Sequence, residues 1–412
     1  MNLIPNAEGS ISALPSSRGR LPELDGIRGM AILAVLLFHY LFLANVDAGV
    51  APATSNLLGH WEQLFAIGWA GVDLFFVLSG FLIGGILLDA RTSPRYFATF
   101  YARRFFRIIP LYYLWIGVYF ALVLGPFRST AGLLSGHLER WTSTPIYFLF
   151  LQNSVKIPHA TFGTAWLGAL WSLAVEEQFY LLMPLAVRFL PRRKLVPLLF
   201  VAIIGAPMVR VAVSHFIPAH PAAQYVLTPC RIDSLAMGVL LAVGWREERW
   251  KAAFLRYRTL IYTFSLLLLI GVVYLALWKP SQYSSTMAVW GFSCVDAFFA
   301  CLLSIALMVP GGIWASVCRW SVLAELGRVS YCLYVIHAAV NLLCHIFLLH
   351  HSPRFLDWRS AGVTTLAALF SYGLASLSWT FFEHPLFKCG HAYQYFPRRS
   401  VAASVQGDTS PL

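Results

Sequence analysis

Leu24-Asp25-Gly26-Ile27-Arg28-Gly29-Met30-Ala31-Ile32-Leu33-Ala34-Val35-Leu36-Leu37-Phe38-His39-Tyr40 is the stretch that decides the fold of this chain. From Ala31 to Val46 it is almost wholly apolar, so it reads as a membrane-spanning helix, yet it keeps an Arg at its start and a His in its middle. At about 100° per residue, the steps from Arg28 to His39 come to about 20° beyond three full turns. Both side chains therefore project from one helix face, roughly 16 Å apart along the axis. Ionisable groups inside a bilayer are costly and turn toward protein or water. The plain alternative is a snorkelling Arg and a packed core His. The pair on one face, with Asp25 just ahead of it, favours a functional face.

The rest of the chain fits a membrane protein. Of 412 residues, 58% are hydrophobic and only 12% charged, with mean hydropathy +0.68; soluble domains carry about 25% charged residues. A lipid-spanning chain must satisfy its backbone hydrogen bonds within each segment, so the expected class is all-α, a polytopic transmembrane helical bundle. Residues 1–20 are polar and lack an apolar core, which reads as a disordered tail without a cleavable signal peptide. The seven cysteines (230, 294, 301, 318, 332, 344 and 389) show no CxxC spacing and read as packing residues, and no metal-binding pattern is present.

Apolar runs near the spanning length of about 20 residues lie at 28–46, 69–88, 108–125, 167–187, 195–217, 231–245, 259–278, 286–309, 329–349 and 361–382. The sixth is short. A further patch, Ile146 to Leu151, is too short to span and is expected at the interface or as a re-entrant turn. With the N-terminus cytoplasmic, 22 of the 30 Lys and Arg fall on the inner side, seven on the outer side, and Arg210 lies within a span. That asymmetry predicts ten spans with both termini cytoplasmic. It also accounts for the net charge of +12 without nucleic acid. The long 127–165 connection then faces outward as a candidate cover over a pocket. The expected division is a tail at 1–20, a membrane domain at 21–390 and a short cytoplasmic tail at 391–412.

Four more stretches carry polar chemistry. In Tyr101-Ala102-Arg103-Arg104-Phe105-Phe106-Arg107, Arg104 and Arg107 share a helix face, and guanidinium suits phosphate; topogenic charge against anionic lipid is the bland reading. In Trp171-Ser172-Leu173-Ala174-Val175-Glu176-Glu177, at least one carboxylate should face a cavity or a basic partner. A carboxylate on one imidazole nitrogen raises the basicity of the other, as a general base requires. Gly71-Val72-Asp73 through Ser79-Gly80 places an Asp and a small step in an apolar helix, and the step fits close helix packing. Ser330-Tyr331-Cys332-Leu333-Tyr334-Val335-Ile336-His337 places a second intramembrane His, the natural rival to His39.

Together these stretches resemble acyltransferase family 3, the integral-membrane acyltransferases that modify sugars and other hydroxyl-bearing acceptors. The resemblance covers nearly all of 21–390. It rests on seven elements in the family's order: LDGIRGMAILAVLLFHY, GVDLFFVLSGFLI, RRFFRIIPLYY, LWSLAVEEQFYLLMP, RIDSLAMGVLLA, GRVSYCLYVIHAAV and FFEHPLF. It implies ten core helices, a cytoplasmic acyl-CoA donor and an acceptor reached from the opposite side. Residue by residue, His39 matches the catalytic base, Arg28 its partner, Glu176 the carboxylate of the WSLxxE element, and Arg104 and Arg107, with Arg103 beside them, the acyl-CoA end. The wider pocket expected for the acceptor comprises Asp25, Asp73, Ser79, Trp171, Glu177, Arg231, Asp233, Tyr331 and His337. The expectation is thus acyl transfer, in the simplest case acetyl, from acyl-CoA as co-substrate to a carbohydrate or glycolipid hydroxyl in a bacterial inner membrane. No tightly bound cofactor, metal or nucleic acid is expected. The other class is a proton-coupled carrier of sugars or lipids, against which stands the lack of a repeat between the two halves. Acceptor identity, acyl-chain length and oligomeric state are left open by the sequence.

Overall fold

The computed structural model describes residues 21–44, 65–124, 144–155, 166–278 and 282–396. The expected N-terminal tail, residues 397–412 and most of the 127–165 connection lie outside the described residues. Within them the protein is helical and no strand occurs. In chain order the helices are α1 Pro22–Leu37, α2 Gly71–Asp89, α3 Tyr96–Leu124, α4 Thr144–Phe148, α5 Gln152–Val155, α6 Leu170–Phe189, α7 Arg192–Phe216 and α8 Ala223–Val226. Then follow α9 Thr228–Trp245, α10 Glu248–Arg256, α11 Arg258–Trp278, α12 Phe292–Met308, α13 Ile313–Cys318, α14 Ser321–Leu349, α15 Trp358–Ser378 and α16 His384–Ala392. Three π-turns interrupt this pattern: Phe38–Leu43 extends α1, Met287–Gly291 leads into α12, and Trp379–Glu383 joins α15 to α16.

Among the described residues, nine segments are long and apolar enough to cross a membrane. The sequence predicts ten. The difference is α6, which is 20 residues long but carries Glu176, Glu177 and Gln178 at its centre, so its hydropathy falls short. Several helices begin earlier than hydropathy predicts, α3 and α14 by the most. α3 starts at Tyr96, twelve residues before 108, because its arginine-rich turns are helical too. α14 starts at Ser321, where a Glu325–Arg328 pair replaces apolar contact. The patch at 146–151 does not span: it comprises the end of α4 and the turn that leads into α5. α4 and α5 pack into the bundle, with Tyr147 and Asn153 each 1% exposed, Tyr112 donating to the Tyr147 carbonyl and Gln152 to that of Leu170.

The centre of the bundle is set by two close crossings. Where α1 meets α14, a Cβ on Gly29 would lie 1.9 Å from the Leu323 carbonyl oxygen, and one on Gly327 would lie 1.9 Å from that of Asp25. Where α2 meets α9, a Cβ on Gly80 would lie 2.1 Å from the Leu235 carbonyl oxygen, so the Ser79-Gly80 step does serve close packing. α11 buries little, and its outward Leu267 and Ile270 form the kind of surface lipid covers.

The end of the described chain is not a loose tail. α16 lies against α3, and the next three carbonyls accept in succession from α3 and the turn before it. Tyr393 O takes two donors from Arg103, at 3.0 and 2.8 Å; Gln394 O takes Thr99 Oγ1 at 3.1 Å; Tyr395 O takes Ser93 Oγ. The expected boundary at 390–391 therefore falls inside the packed structure.

Candidate active site

The site grows from the α1 face that carries Arg28 and His39. Arg28, about a quarter exposed, faces Asp25 at 3.4 Å. Arg104 and Arg107 lie one turn apart on α3, and the Arg28 charge acts on Arg107 electrostatically. Opposite them stands α6. Tyr180 Oη donates to Glu176 Oε2 at 3.3 Å, one turn back, and meets Ser79 Oγ of α2 at 2.6 Å. The Arg104 guanidinium lies 5.9 Å from the Tyr180 ring centroid, and Glu176 feels both Arg104 and Arg107. Glu177 and Arg104 interact as well, yet Glu177 Oε1 and Arg104 Nε are buried and lack a hydrogen-bond partner. Polar capacity of both signs is thus left unfilled inside the bundle. Unpaired buried groups of this kind are expensive, and they mark a place where a ligand has bonds to make.

Three turns along α1, the helix widens into a π-turn at His39. His39 Nδ1 meets the Val35 carbonyl at 2.8 Å. His337, on α14, repeats this arrangement with Nδ1 2.7 Å from the Tyr334 carbonyl. A carbonyl only accepts, so Nδ1 carries the hydrogen in both rings and each Nε2 offers a bare lone pair. The rings sit 4.8 Å apart, nearly perpendicular. Their surroundings differ. His39 is partly exposed, whereas His337 is 0% exposed, with Nε2 lacking a partner. Tyr40 Oη donates to the His337 carbonyl at 3.0 Å and meets Ser371 Oγ at 3.0 Å, tying α1 to α14 and α15. Tyr334 links the two ends of the site: its ring is 6.0 Å from that of His337, its hydroxyl meets Ser172 Oγ of α6 at 2.6 Å, and it senses Glu176.

The structure therefore brings together Arg28, Asp25, Arg104, Arg107, Glu176, Glu177, Ser79 and Tyr331, and places His39 with His337. Glu176 does not hydrogen-bond His39; the orienting acceptor is the Val35 carbonyl. Arg103 leaves the group, since its Nε and one Nη bind the Tyr393 carbonyl. Asp73, Arg231 and Asp233 do not line a pocket. They form a separate, fully buried charge cluster in which Arg231 pairs with Asp73, and Arg210 of α7 reaches Asp233 at 3.0 Å. Ser293 Oγ bridges that second pair, and the Ala288 carbonyl, in the π-turn before α12, accepts from Arg210 Nε at 3.0 Å. Trp171 belongs to the aromatic shell around this cluster, packed on Tyr225 at 4.7 Å while Arg231 lies over Phe292 at 4.4 Å. Asp296 is also 0% exposed there, with neither carboxylate oxygen hydrogen-bonded. Tyr180, Tyr334, Asp296 and Glu383 were missed by sequence reasoning. Only Tyr180 had a signal, its i+4 spacing from Glu176. Among the described residues, no three His, Cys, Asp or Glu side chains are grouped to hold a metal ion.

A helical bundle that keeps arginines, carboxylates and two imidazoles along the inner face of its first span defines an integral membrane protein with a polar site inside it, not a passive anchor. The chain belongs to acyltransferase family 3: the family model described as "Acyltransferase domain" matches residues 21–382. It is similar to the O-acetyltransferase OatA of Staphylococcus aureus, 26% identical over 397 residues, which cover 92% of this chain and 59% of that protein. It is also similar to the peptidoglycan O-acetyltransferase OatA of Listeria monocytogenes, 28% identical over 388 residues, covering 91% of this chain and 57% of the relative. The chain thus spans less than two thirds of the length of these curated relatives. No solved structure matches it. With its apolar helices and bacterial relatives, it is an integral bacterial membrane protein.

Proposed function

We propose that the protein transfers an acyl group, most simply acetyl, from acyl-CoA to a hydroxyl of a carbohydrate or glycolipid, with a cell-wall glycan as the first candidate. One observation carries this reading: the α1 face bears Arg28 at one end, in electrostatic range of Arg107 on α3, and presents the Nε2 lone pair of His39 at the other. The arginines would take the nucleotide phosphates in charge-assisted bonds. The pantetheine arm would follow α1 over roughly 16 Å to His39. The names of the relatives, which specify O-acetyl transfer and in one case peptidoglycan, support the chemistry and the acceptor class. The asymmetry of Lys and Arg supports an inner membrane with the arginine end and both termini in the cytoplasm, where CoA thioesters are made.

In the reaction, His39 Nε2 accepts the hydroxyl proton as the hydroxyl oxygen attacks the thioester carbonyl carbon. The C–O bond forms, the C–S bond breaks, and the leaving thiolate takes the proton from His39 to become CoA thiol. Acyl-CoA is then a co-substrate, and no resident cofactor takes part. Ser79, Tyr180 and Glu176 fix the wall opposite the arginines, and His337 backs the His39 ring. The test is acceptor-stimulated release of CoA thiol from acetyl-CoA by purified protein, with peptidoglycan fragments and other glycans, beside His39→Ala. Release that needs acceptor and disappears in the variant is the expected result. Equal release from both proteins removes His39 from the reaction. Proton-driven solute uptake without CoA dependence overturns the reading in favour of a carrier.

A further inference from the structure

The face of α14 that carries His337 runs on, away from the arginine end, through two more buried polar side chains. His337, Asn341 and His345 are spaced four residues apart, so successive side chains stand about 6 Å apart along one side of the helix. They are 0%, 3% and 0% exposed. Each keeps one buried atom without a hydrogen-bond partner: His337 Nε2, Asn341 Oδ1 and His345 Nδ1. Opposite them α15 offers small or polar groups. Thr364 Oγ1 meets His345 Nε2 at 3.0 Å, and Ser371 Oγ meets the Tyr40 hydroxyl that holds the His337 carbonyl. The row begins 4.8 Å from the His39 ring and ends 5.7 Å from that of His351, which is partly exposed beyond the end of α14.

His337 Nε2 and Asn341 Oδ1 both accept only, so a group between them must donate in two directions and be small enough for a buried interface. Water does both: two hydrogen bonds of about 2.8 Å, one to each atom, nearly cover the step. His345 fits such a row as a relay. Its Nε2 partner is a hydroxyl, which either gives or takes a hydrogen, so this ring can change tautomer where His39 and His337 are fixed by carbonyls. Few other groups titrate along the row. They are Tyr40 of α1, Tyr334 of α14 with Glu176 behind it, Cys344 near Tyr40, and at the far end His351, Arg354 and Asp357. From α15 come only the hydroxyls of Thr364 and Ser371.

We propose that a file of water molecules along His337, Asn341 and His345 opens the His39 base to protons from the end of the bundle opposite the arginines, so that acid on that side switches the transferase off. The proton lands on the Nε2 lone pair of His39, which then cannot take the proton of the attacking hydroxyl. The proposal rests on the acyl-CoA reading above, and two measurements keep the two apart. The first needs no activity. In a millisecond X-ray pulse, hydroxyl radicals made from bound water should oxidise His337 and His345 in the solubilised full-length protein, and Asn341→Leu should lose most of that labelling. The second uses liposomes with the glycan acceptor inside and acetyl-CoA outside, which report only on molecules whose arginine end faces outward. Below its midpoint, each unit of luminal acidification should cut CoA release about tenfold, as protonation of a single base does. The same acidification on the acetyl-CoA side should change release far less. Asn341→Leu should match wild type at neutral pH and ignore luminal acid. If Asn341→Leu does not fold, His345→Phe must behave in the same way. Unlabelled His337 and His345, or a response to acid from the acetyl-CoA side alone, overturns the proposal. Labelled histidines in a protein that never releases CoA remove the acyl-CoA reading, and the switch with it, while the file of water stands.

Discussion

Gly29→Ala should damage both stability and activity, although Gly29 carries no chemistry. A Cβ at this position would stand 1.9 Å from the Leu323 carbonyl oxygen and 2.6 Å from its carbonyl carbon, where ordinary contact begins at 3.4 Å. Those atoms are backbone and cannot swing aside, so α1 and α14 must separate by about 1.5 Å to restore that contact. Overpacking of this kind costs roughly 1–3 kcal/mol, with the upper end expected here because the clash is with main chain. The same interface holds His39 on α1 against His337 on α14 at 4.8 Å. A displacement near 1 Å can cost about 10²-fold in rate, so turnover should fall by roughly that factor in whatever fraction remains folded. Thermal unfolding of the solubilised protein and the CoA-release assay measure the two effects separately. Gly205→Ala is the control: nothing lies within 4 Å of its Cβ, so it should gain about 1 kcal/mol of helix propensity. A Gly29→Ala protein as stable and as active as wild type would refute the close crossing.

His39→Ala should reduce turnover by about 10²–10⁴-fold, the usual worth of a general base, and His337→Ala by less, since His337 is sealed from substrate; an equal loss in the two would reassign the base. Asp233→Ala should destabilise by roughly 3–5 kcal/mol because it strands the buried Arg210, whereas Arg210→Met with Asp233→Leu should recover most of that in thermal unfolding. Asp357 caps α15 by accepting from the Ser360 N–H at 2.7 Å, and that bond holds its carboxyl below the ordinary range. A depressed folded value gives stability that is present above the unfolded pKa and lost as pH falls through the folded one. The difference in melting temperature between wild type and Asp357→Asn should therefore shrink on acidification, and a gap that widens instead contradicts the cap.

Hydropathy made most of the bundle legible, because an apolar run of spanning length has few other uses. It failed where charge sits inside a helix. α6, read from the sequence as a span at 167–187, falls below the hydropathy of the other spans on account of its two glutamates, and α3 and α14 extend back through arginines that a hydropathy window trims. The face shared by Arg28 and His39 followed from helical periodicity alone. Partner choice did not. Asp73, Arg231 and Asp233 look like pocket residues in a linear chain, and only the packing of α2, α7, α9 and α12 shows them neutralising one another. Arg210 was visible as an arginine within a span, but its partner Asp233 lies 23 positions away on another helix. The π-turns have no compositional signature, so the placement of Glu383 on one of them could not be read in advance. Arg103 and Arg104 are neighbours in sequence, yet helical rotation sends one to the Tyr393 carbonyl and the other toward Tyr180.

The three carbonyls of Tyr393, Gln394 and Tyr395 matter to anyone who handles the protein. They dock on the helix that carries Arg104 and Arg107 and on the turn before it, so the stretch before Phe396 is part of the scaffold. An affinity handle or cleavage site belongs beyond residue 396. A truncation ending at Gly390 removes the acceptors of Arg103, Thr99 and Ser93 together, releasing a guanidinium one residue from Arg104. Such a shortened protein would reach the membrane and then fail in assay, its silence mistaken for a wrong substrate.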